Sequence, residues 1–505
     1  MRQPSPLAGK HRMHAQGKRY TCLRETDFEE RFVNPVLIIP TYWSDGTSQG
    51  PGTGITVYDH VSNLSSGGEL ARCLNSLGNI TNICRIMLLV AATPGAEEQA
   101  REKVWDIAAR FGDFDILVIG QPEIDALHKR LDQFGFGDRR DAVALTSYGA
   151  IRNAGLLIAA ALGHTEVLFI DDDELIDDRD FIEKGLFGLG KLTRRGIPVL
   201  VKTGFYFNRR SRYTAGYRKQ WYNIAWKQDE LFDTWMEQAM GGARIKPSQV
   251  ACGGCLAIHR EAWRRVAFDP WIARGEDLDF LLNMRMFGFD VWLDREWSLR
   301  HHPPQSENET ARFRANIYRW IYEQHKISYA RTQGDLLPID PDKLMPYPGA
   351  MLKMQISRKL HTTALVRSMG MSERSGYLQA MSSCKDAERY AQRTCGRFFP
   401  FLYAWPELVQ AVEGDEQLAA SYLERIAELH AASQQVISLE QEAEEGDEED
   451  VESSEEILAR WVQRAQQGGR RRRHSAEDGD VGPGRSPVGE SVIVRPGGDD
   501  AQGPD

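Results

Sequence analysis

Four consecutive carboxylates are the chemical feature that stands out in this chain. Asp171, Asp172, Asp173 and Glu174 directly follow an apolar run at residues 167–170 that is typical of a buried β-strand. Clustered acidic side chains repel one another and raise one another's pKa unless a cation or several hydrogen-bond donors neutralise them. The cluster therefore predicts a divalent-metal site, and a solvated acidic turn before a capped helix is the alternative interpretation.

Two histidines and a second acidic pair add to the candidate chemistry. His301 and His302 precede two prolines, and an imidazole ligand from one of them would favour Mn²⁺ over Ca²⁺; an ordinary loop is the alternative. Asp277, with Glu276 before it, lies at an apparent helix start. The positive end of a helix dipole keeps a carboxylate ionised and able to act as a base, although a plain helix cap uses the same residue type.

Short apolar runs alternate with helix-length segments, and these elements would position the acidic groups. Strands are predicted at residues 36–39, 86–90, 116–119, 167–170 and 199–201, and helices at 69–77, 97–111, 123–134 and 148–162. The alternation indicates an α/β, Rossmann-like fold, with a mostly parallel sheet and helices on both of its faces. Ligands of such sheets collect beyond the carboxyl ends of the strands, where Asp171 and Asp173 would emerge.

Composition divides the chain into four parts. We expect a flexible N-terminal arm at residues 1–30, the α/β domain at 31–305 and a helical extension at 306–437. Residues 438–505 are first acidic and then arginine-rich, and we expect a disordered tail there because so polar a segment cannot bury a core.

The bulk composition limits the classes of function. A formal net charge of -10 disfavours nucleic-acid binding. Seven cysteines in 505 residues indicate reduced thiols and a cytoplasmic protein. No stretch approaches the 18 to 20 consecutive apolar residues of a transmembrane helix, so we expect any membrane contact to be peripheral, at the inner face of the membrane.

Taken in order, several short motifs resemble those of the family 2 glycosyltransferases and their relatives with the GT-A fold. The resemblance covers about residues 35–303. The motifs are the strand end Ile38-Ile39-Pro40-Thr41-Tyr42-Trp43, the helix start Arg152-Asn153, the acidic Asp171-Asp172-Asp173, the pair Gly253-Gly254, the helix start Glu276-Asp277 and the histidines at 301 and 302. The order of the set is more specific than any single motif.

The resemblance implies a role for each motif. The sugar donor would be bound by Pro40, Thr41, Trp43, Arg152, Asn153 and Asp171, and the acceptor by Gly253, Gly254 and, as a further candidate, Trp271. Mn²⁺ or Mg²⁺ would be held by Asp171, Asp173 and one of His301 and His302, with Asp173 as a direct ligand and Asp172 pointing away. Asp277 would be the catalytic base, with Glu276 beside it.

The implied activity is a metal-dependent transfer of a hexose from a nucleotide-sugar donor to a hydroxyl acceptor, with inversion at the anomeric carbon. The acceptor could be a saccharide, a lipid-linked molecule or a small molecule. A retaining GT-A transferase, a sugar nucleotidyltransferase and a non-enzymatic scaffold protein with charged tails are the alternatives. The chain departs from the family in the insertion between Trp43 and Leu70, which is rich in Gly, Ser and Thr, and in its long C-terminal part.

Overall fold

The computed structural model describes residues 33–46, 61–216, 219–223, 225–303, 309–353, 355–371 and 373–445, with side chains described as far as Ser438. The predicted N-terminal arm at 1–30 and the tail beyond residue 445 therefore lie outside the described residues, as does part of the insertion after Trp43. The described residues up to Ser438 belong to one compact unit.

Ten strands in the described residues form one sheet. They are β1 (Pro35–Ser44), β2 (Ser62–Asn63), β3 (Arg85–Ala92), β4 (Ile116–Ile119), β5 (Glu166–Phe169), β6 (Glu174–Leu175), β7 (Val201–Phe207), β8 (Ile245–Pro247), β9 (Leu256–His259) and β10 (Val291–His301). The order is β4-β3-β1-β5-β9-β7-β10-β6, with β2 beside β1 and β8 beside β10. Strands β4, β3, β1 and β5 are parallel, as are β7 and β10, whereas β9 runs antiparallel to both of its neighbours. The predicted mostly parallel sheet is confirmed.

Helices surround this sheet and continue after it. They are α1 (Leu70–Leu77), α2 (Glu97–Ala108), α3 (Gln121–Gln133), α4 (Tyr148–Ala161), α5 (Phe181–Leu186), α6 (Gln228–Ala239), α7 (Arg260–Trp263), α8 (Glu276–Met286), α9 (Glu309–Ala330), α10 (Gly349–Leu352), α11 (Ile356–Gly370), α12 (Arg374–Thr394), α13 (Phe398–Val412) and α14 (Glu416–Glu445). The predicted helical content after residue 306 is confirmed.

Alternation along β1 explains why helices cover both faces of the sheet. Val36 and Ile38 belong to the hydrophobic cluster that contains α4, and Leu37 and Ile39 belong to the cluster that contains α1 and α2. All four side chains are fully buried. Burial of one such side chain stabilises the fold by about 1.5–3 kcal/mol. Strand β1 therefore joins the hydrophobic clusters on the two faces of the sheet.

The predicted elements agree with the observed ones except at one strand. That strand starts at Val201 rather than at Val199, because the backbone of Val199 is hydrogen-bonded to residues 190–191 instead of to a strand of the sheet. The N–H of Val199 donates to the carbonyl of Lys191 at 2.9 Å, and its carbonyl accepts from the N–H of Gly190 at 2.8 Å.

The register between β1 and β5 brings the predicted site together. Ile38 pairs with Phe169, the last residue of β5, so residues 40–41 of β1 continue beside the loop at 171–173. The six cysteines in the described residues are free thiols, as predicted. Within the same residues, no helix combines the length and the apolar character needed to cross a membrane.

Buried charged side chains connect α9 to α8 and to the segment that precedes α8. Lys326 of α9 is fully buried, and its Nζ lies 2.9 Å from Asp269 Oδ2 and also contacts Asp279 Oδ1 in α8. The hydroxyl of Tyr322 donates to Asp269 Oδ2 at 2.9 Å. The helical part of the chain is therefore fixed to the helix that carries Asp277.

Replacing this buried cation tests the connection. Lys326→Met should lower the free energy of unfolding by roughly 3–5 kcal/mol, because two buried carboxylates lose their counter-charge. Urea denaturation measures the change. Lys359→Met, at an exposed position of α11, is the matched control and should change stability by about 0.5 kcal/mol or less. A loss below about 1 kcal/mol for Lys326→Met would show that the network does not hold α9 in place.

Candidate active site

A cavity of about 260 Å³ opens at the edge where β1 and β5 end. Its wall includes residues of β1, the acidic loop after β5 and the N-terminal turns of α4 and α8. One residue each from β3, β7, β10 and the loop before β9, and two from α9, also line it. Predicted residues on the side of β1, β5 and α4 are Pro40, Thr41, Arg152 and Asp171. Predicted residues around the rest of the cavity are Asp173, Gly253, Glu276, Asp277 and His301. Most of the proposed site is thus gathered around one space.

Asp172 also lines this cavity, so the expectation that it points away is wrong. The hydroxyl of Thr41 donates to Asp172 Oδ2 at 2.5 Å, which fixes the carboxylate against the end of β1. Burial, reinforced by the charge of Asp173, raises the pKa of Asp172 to about 8. The cavity therefore contains a carboxyl group whose ionisation depends on what binds beside it.

Glu174 lies directly beneath the acidic loop. Its Oε2 accepts a hydrogen bond from the N–H of Asp171 at 2.9 Å, and its Oε1 has no hydrogen-bond partner among the described residues. Burial raises the pKa of Glu174 well above its usual range, and the neighbouring aspartates add to the effect. A neutral Glu174 reduces the repulsion within the cluster.

Gly254 makes room for Glu174 and is not part of the cavity wall. A Cβ at this position would lie 2.3 Å from both carboxyl oxygens of Glu174. The N–H of Gly254 donates to the hydroxyl of Tyr206 at 2.9 Å. We therefore correct the assignment of Gly254 from acceptor binding to packing beneath the site.

Asp173 and His301 form the most direct metal-ligand pair. Asp173 is only 4% exposed, and its Oδ2 lies 3.1 Å from Nε2 of His301. His302 has a different position: its N–H donates to the Asp173 carbonyl at 3.1 Å and its own carbonyl accepts from Arg72 at 3.0 Å. The side chain of His302 does not line the cavity, so the structure favours His301 over His302 as the imidazole ligand.

The residues present fit a divalent ion that takes most of its ligands from substrate and water. No three His, Cys, Asp or Glu side chains of the described residues already form a coordinating group. Asp173 and His301 would supply two ligand side chains, whereas Asp171 Oδ1 lies 3.3 Å from Arg152 Nη2. Mg²⁺ and similar ions commonly use one or two carboxylates together with phosphate oxygens and water, which suits this incomplete set.

Arg152 connects the acidic cluster to α8. Its Nε lies 3.1 Å from Glu276 Oε1, and its Nη1 donates to the carbonyl of Gly253 at 3.1 Å. The guanidinium also lies 4.7 Å from the ring centroid of Phe169. Burial outweighs this guanidinium and raises the pKa of Glu276 to about 7. The resemblance implied that Arg152 binds the sugar donor, whereas these contacts agree with a role in anchoring the acidic cluster.

Asp277 lies in the first turn of α8, at the rim of the cavity. Its Oδ2 accepts a hydrogen bond from the N–H of Gly253 at 3.2 Å, and its Oδ1 lies 3.9 Å from Nη2 of Arg319. Gly275, which caps the helix, has φ +76°, a conformation that glycine adopts without strain. The carboxylate therefore faces the cavity from the positive end of a helix.

Three arginines of the cavity wall were not predicted from the sequence: Arg274, Arg312 and Arg319. Arg312 and Arg319 belong to α9, in the segment expected to be a separate helical extension. Their spacing of seven residues is two helical turns and places them on one face, which is a signal that the sequence offers. Tyr206, another unpredicted wall residue, lies 5.3 Å from His301 between ring centroids.

Two predicted sugar-donor residues are structural instead. Trp43 is fully buried and its Nε1 donates to Thr41 Oγ1 at 3.0 Å, so it cannot stack on a nucleotide base. Asn153 is also fully buried. Its side-chain amide donates to the carbonyls of Ala142 and Phe268 at 3.1 and 3.0 Å, and its Oδ1 accepts from the N–H of Phe268 at 2.9 Å. Neither residue lines the cavity.

The predicted acceptor residue Trp271 also lies outside the cavity wall. Its ring packs edge-on against Phe401 of α13 at 5.9 Å, and the guanidinium of Arg397 lies 4.6 Å from its centroid. Its carbonyl accepts a hydrogen bond from the hydroxyl of Tyr390 at 2.6 Å. Trp271 therefore joins the helical part of the chain to the sheet domain.

The strand order defines an α/β fold with one mostly parallel sheet, and the acidic loop follows β5 at the edge of that sheet. No family model and no curated protein matches the sequence. Similar solved structures include a mannosyltransferase from Pyrobaculum calidifontis in complex with GDP-Man and Mn²⁺, at TM-score 0.40 and 13% identity, covering 79% of this chain and 90% of that one. A TM-score of 0.40 supports no argument about function, so the function is inferred from the geometry of the site.

Two further solved structures are similar to this chain at lower TM-scores. Glucosyl-3-phosphoglycerate synthase from Mycobacterium tuberculosis, in complex with phosphoglyceric acid, has a TM-score of 0.31 and 13% identity, covering 56% of this chain and 78% of that one. TarS from S. aureus has a TM-score of 0.29 and 11% identity, covering 70% of this chain and 55% of that one.

Metal binding can be tested at the Asp173–His301 pair. Asp173→Asn should weaken Mn²⁺ binding at least tenfold, because it removes one anionic ligand from a site with few protein ligands. Titration of Mn²⁺ followed by electron paramagnetic resonance measures the free ion. Asp177→Asn removes a carboxylate from an exposed position four residues away and should leave the affinity unchanged. Equal affinities of wild type and Asp173→Asn would exclude Asp173 as a ligand.

Proposed function

We propose that this protein is a metal-dependent glycosyltransferase that moves a hexose from a nucleotide-sugar donor to a hydroxyl acceptor. The observation that carries the proposal is that a carboxylate–imidazole pair suited to a divalent ion and a carboxylate at a helix start line the same cavity. The pair is Asp173 with His301, and the carboxylate is Asp277. Transfer of a sugar from a diphosphate needs both functions close to one anomeric carbon.

The nucleotide side of the cavity lies at the ends of β1 and β5. Pro40 and Thr41 border it, and Thr41 also holds Asp172. Mn²⁺ or Mg²⁺ bound by Asp173 and His301 would screen the negative charge of the departing diphosphate. Arg152 fixes the orientation of Asp171, because its guanidinium contacts Asp171 and Glu276 from a buried position.

Asp277 is the proposed general base. The acceptor hydroxyl transfers its proton to this carboxylate while its oxygen attacks the anomeric carbon and the bond to the diphosphate breaks. The hydrogen bond from Gly253 N–H fixes the orientation of the Asp277 carboxylate at the start of α8. A base on the acceptor side of the sugar supports inversion of configuration.

Two measurements on one variant test this assignment. Isothermal titration of UDP, GDP, ADP and TDP, with and without Mn²⁺, should identify one nucleotide that binds the wild type in a metal-dependent manner. Asp277→Asn should retain the affinity for that nucleotide within about threefold and should lower kcat by roughly 10²–10⁴-fold, the usual contribution of a general base.

A second variant serves as the control for Asp277→Asn. Asp290→Asn removes a partly exposed carboxylate outside the cavity and should retain both binding and turnover. Turnover of Asp277→Asn close to that of wild type would exclude the base and favour a retaining reaction. No binding of any of the four nucleotides would contradict the proposed function itself.

A further inference from the structure

One wall of the cavity carries a group of guanidinium side chains, which we call the arginine wall. It consists of Arg274, Arg312 and Arg319. Arg274 directly precedes the capping Gly275 of α8, and Arg312 and Arg319 lie on one face of α9, two turns apart. Arg312 is exposed, whereas the Arg319 side chain is only 11% exposed. The wall thus extends from solvent to the interior of the site.

Arg319 is held in place by its surroundings. A Cβ on residue 275 would lie 2.1 Å from its Cζ, so the close approach of the guanidinium requires glycine there. The ring centroid of Trp320 lies 4.9 Å from the same carbon. A long side chain that is fixed by packing loses little further freedom when it binds a ligand.

Hydrogen-bonding capacity at Arg319 remains unused. Its Nε has no hydrogen-bond partner among the described residues, and the carboxylate oxygen of Asp277 lies 3.9 Å from Nη2, beyond hydrogen-bond distance. Arg152 differs, since it contacts Asp171, Gly253 and Glu276. A mostly buried donor without a partner is costly unless a ligand supplies an oxygen.

The arginine wall lies on the side of the base rather than on that of the nucleotide. Arg319 is within 3.9 Å of Asp277, whereas the proposed nucleotide contacts belong to β1 and β5. A group bound by Arg319 is therefore adjacent to the hydroxyl that Asp277 deprotonates. Guanidinium groups match phosphate and carboxylate oxygens in two-pronged geometry.

We infer that the acceptor carries an oxyanion, a phosphate or a carboxylate group, which the arginine wall binds while Asp277 receives the proton of its hydroxyl. This inference rests on the proposed function and specifies the acceptor class. The oxyanion takes no part in the bond changes: the acceptor oxygen bonds to the anomeric carbon, the diphosphate leaves and the anion remains unchanged. The arginine wall positions the acceptor.

Inorganic phosphate and acetate are the probes that test the inference without knowledge of the acceptor skeleton. Each is titrated into the full chain already saturated with Mn²⁺ and the nucleoside diphosphate that binds, so that the diphosphate position is filled. Wild type should bind one of the two probes with a dissociation constant of about 1 mM or below. Preference between the probes distinguishes a phosphate-bearing from a carboxylate-bearing acceptor.

Two variants and a matched control locate the bound anion. Arg319→Gln and Arg312→Gln should each weaken binding of the preferred probe at least fivefold, with a larger loss for the buried Arg319. Arg319→Lys keeps the charge and loses the two-pronged geometry, so its affinity should be intermediate. Arg358→Gln removes the same charge from an exposed position of α11 and should bind the probe as wild type does.

The outcomes separate this inference from the proposed function. If no nucleoside diphosphate binds in the presence of Mn²⁺, both are wrong. If the nucleotide binds and neither probe does, or if Arg358→Gln lowers probe affinity as much as Arg319→Gln, only the oxyanion inference is overturned. It is also overturned if Arg319→Gln loses nucleotide affinity as strongly as probe affinity, because the arginine would then serve the sugar donor.

Discussion

The concentration of negative charge at the end of β5 is the constraint to which the rest of the site responds. Four acidic side chains follow one strand, and burial raises the pKa of Asp171, Asp172 and Glu174. Each has its own counterpart: Arg152 contacts Asp171, Thr41 donates to Asp172, and the N–H of Asp171 donates to Glu174. Asp173 is left facing His301 and the cavity, which is the position that a divalent ion can use.

The same constraint explains why the helical part of the chain belongs to the site. Asp277 adds another carboxylate to an acidic cavity, and α9 brings the arginines that offset it. Buried Lys326 fixes α9 against α8, so Asp277 and the arginine wall have a defined separation. A boundary at residue 305 between catalytic domain and extension would divide one cavity into two parts, although the sheet itself ends with β10.

The sequence predicted the sheet edge well because apolar runs and strand ends are local signals. It placed Asp171, Asp173 and Asp277 around one cavity through the order of its motifs. It failed at Trp43 and Asn153, whose neighbours Thr41 and Arg152 do face the cavity. Arg152 and Asn153 are consecutive in helix α4 and point about 100° apart, so membership of their motif does not fix which of the two faces a ligand. Contacts between segments more than 100 residues apart, such as Glu276 with Arg152, required the folded structure.

The central claim is that the Asp173–His301 pair holds an ion beneath the diphosphate of a nucleotide. A crystal structure of the protein grown with Mn²⁺ and the nucleoside diphosphate that it binds tests this most directly. The account predicts electron density for the ion within about 2.5 Å of an Asp173 oxygen and a His301 ring nitrogen, with the diphosphate inside the cavity. An ion that contacts neither residue, or a nucleotide bound away from the ends of β1 and β5, would contradict it.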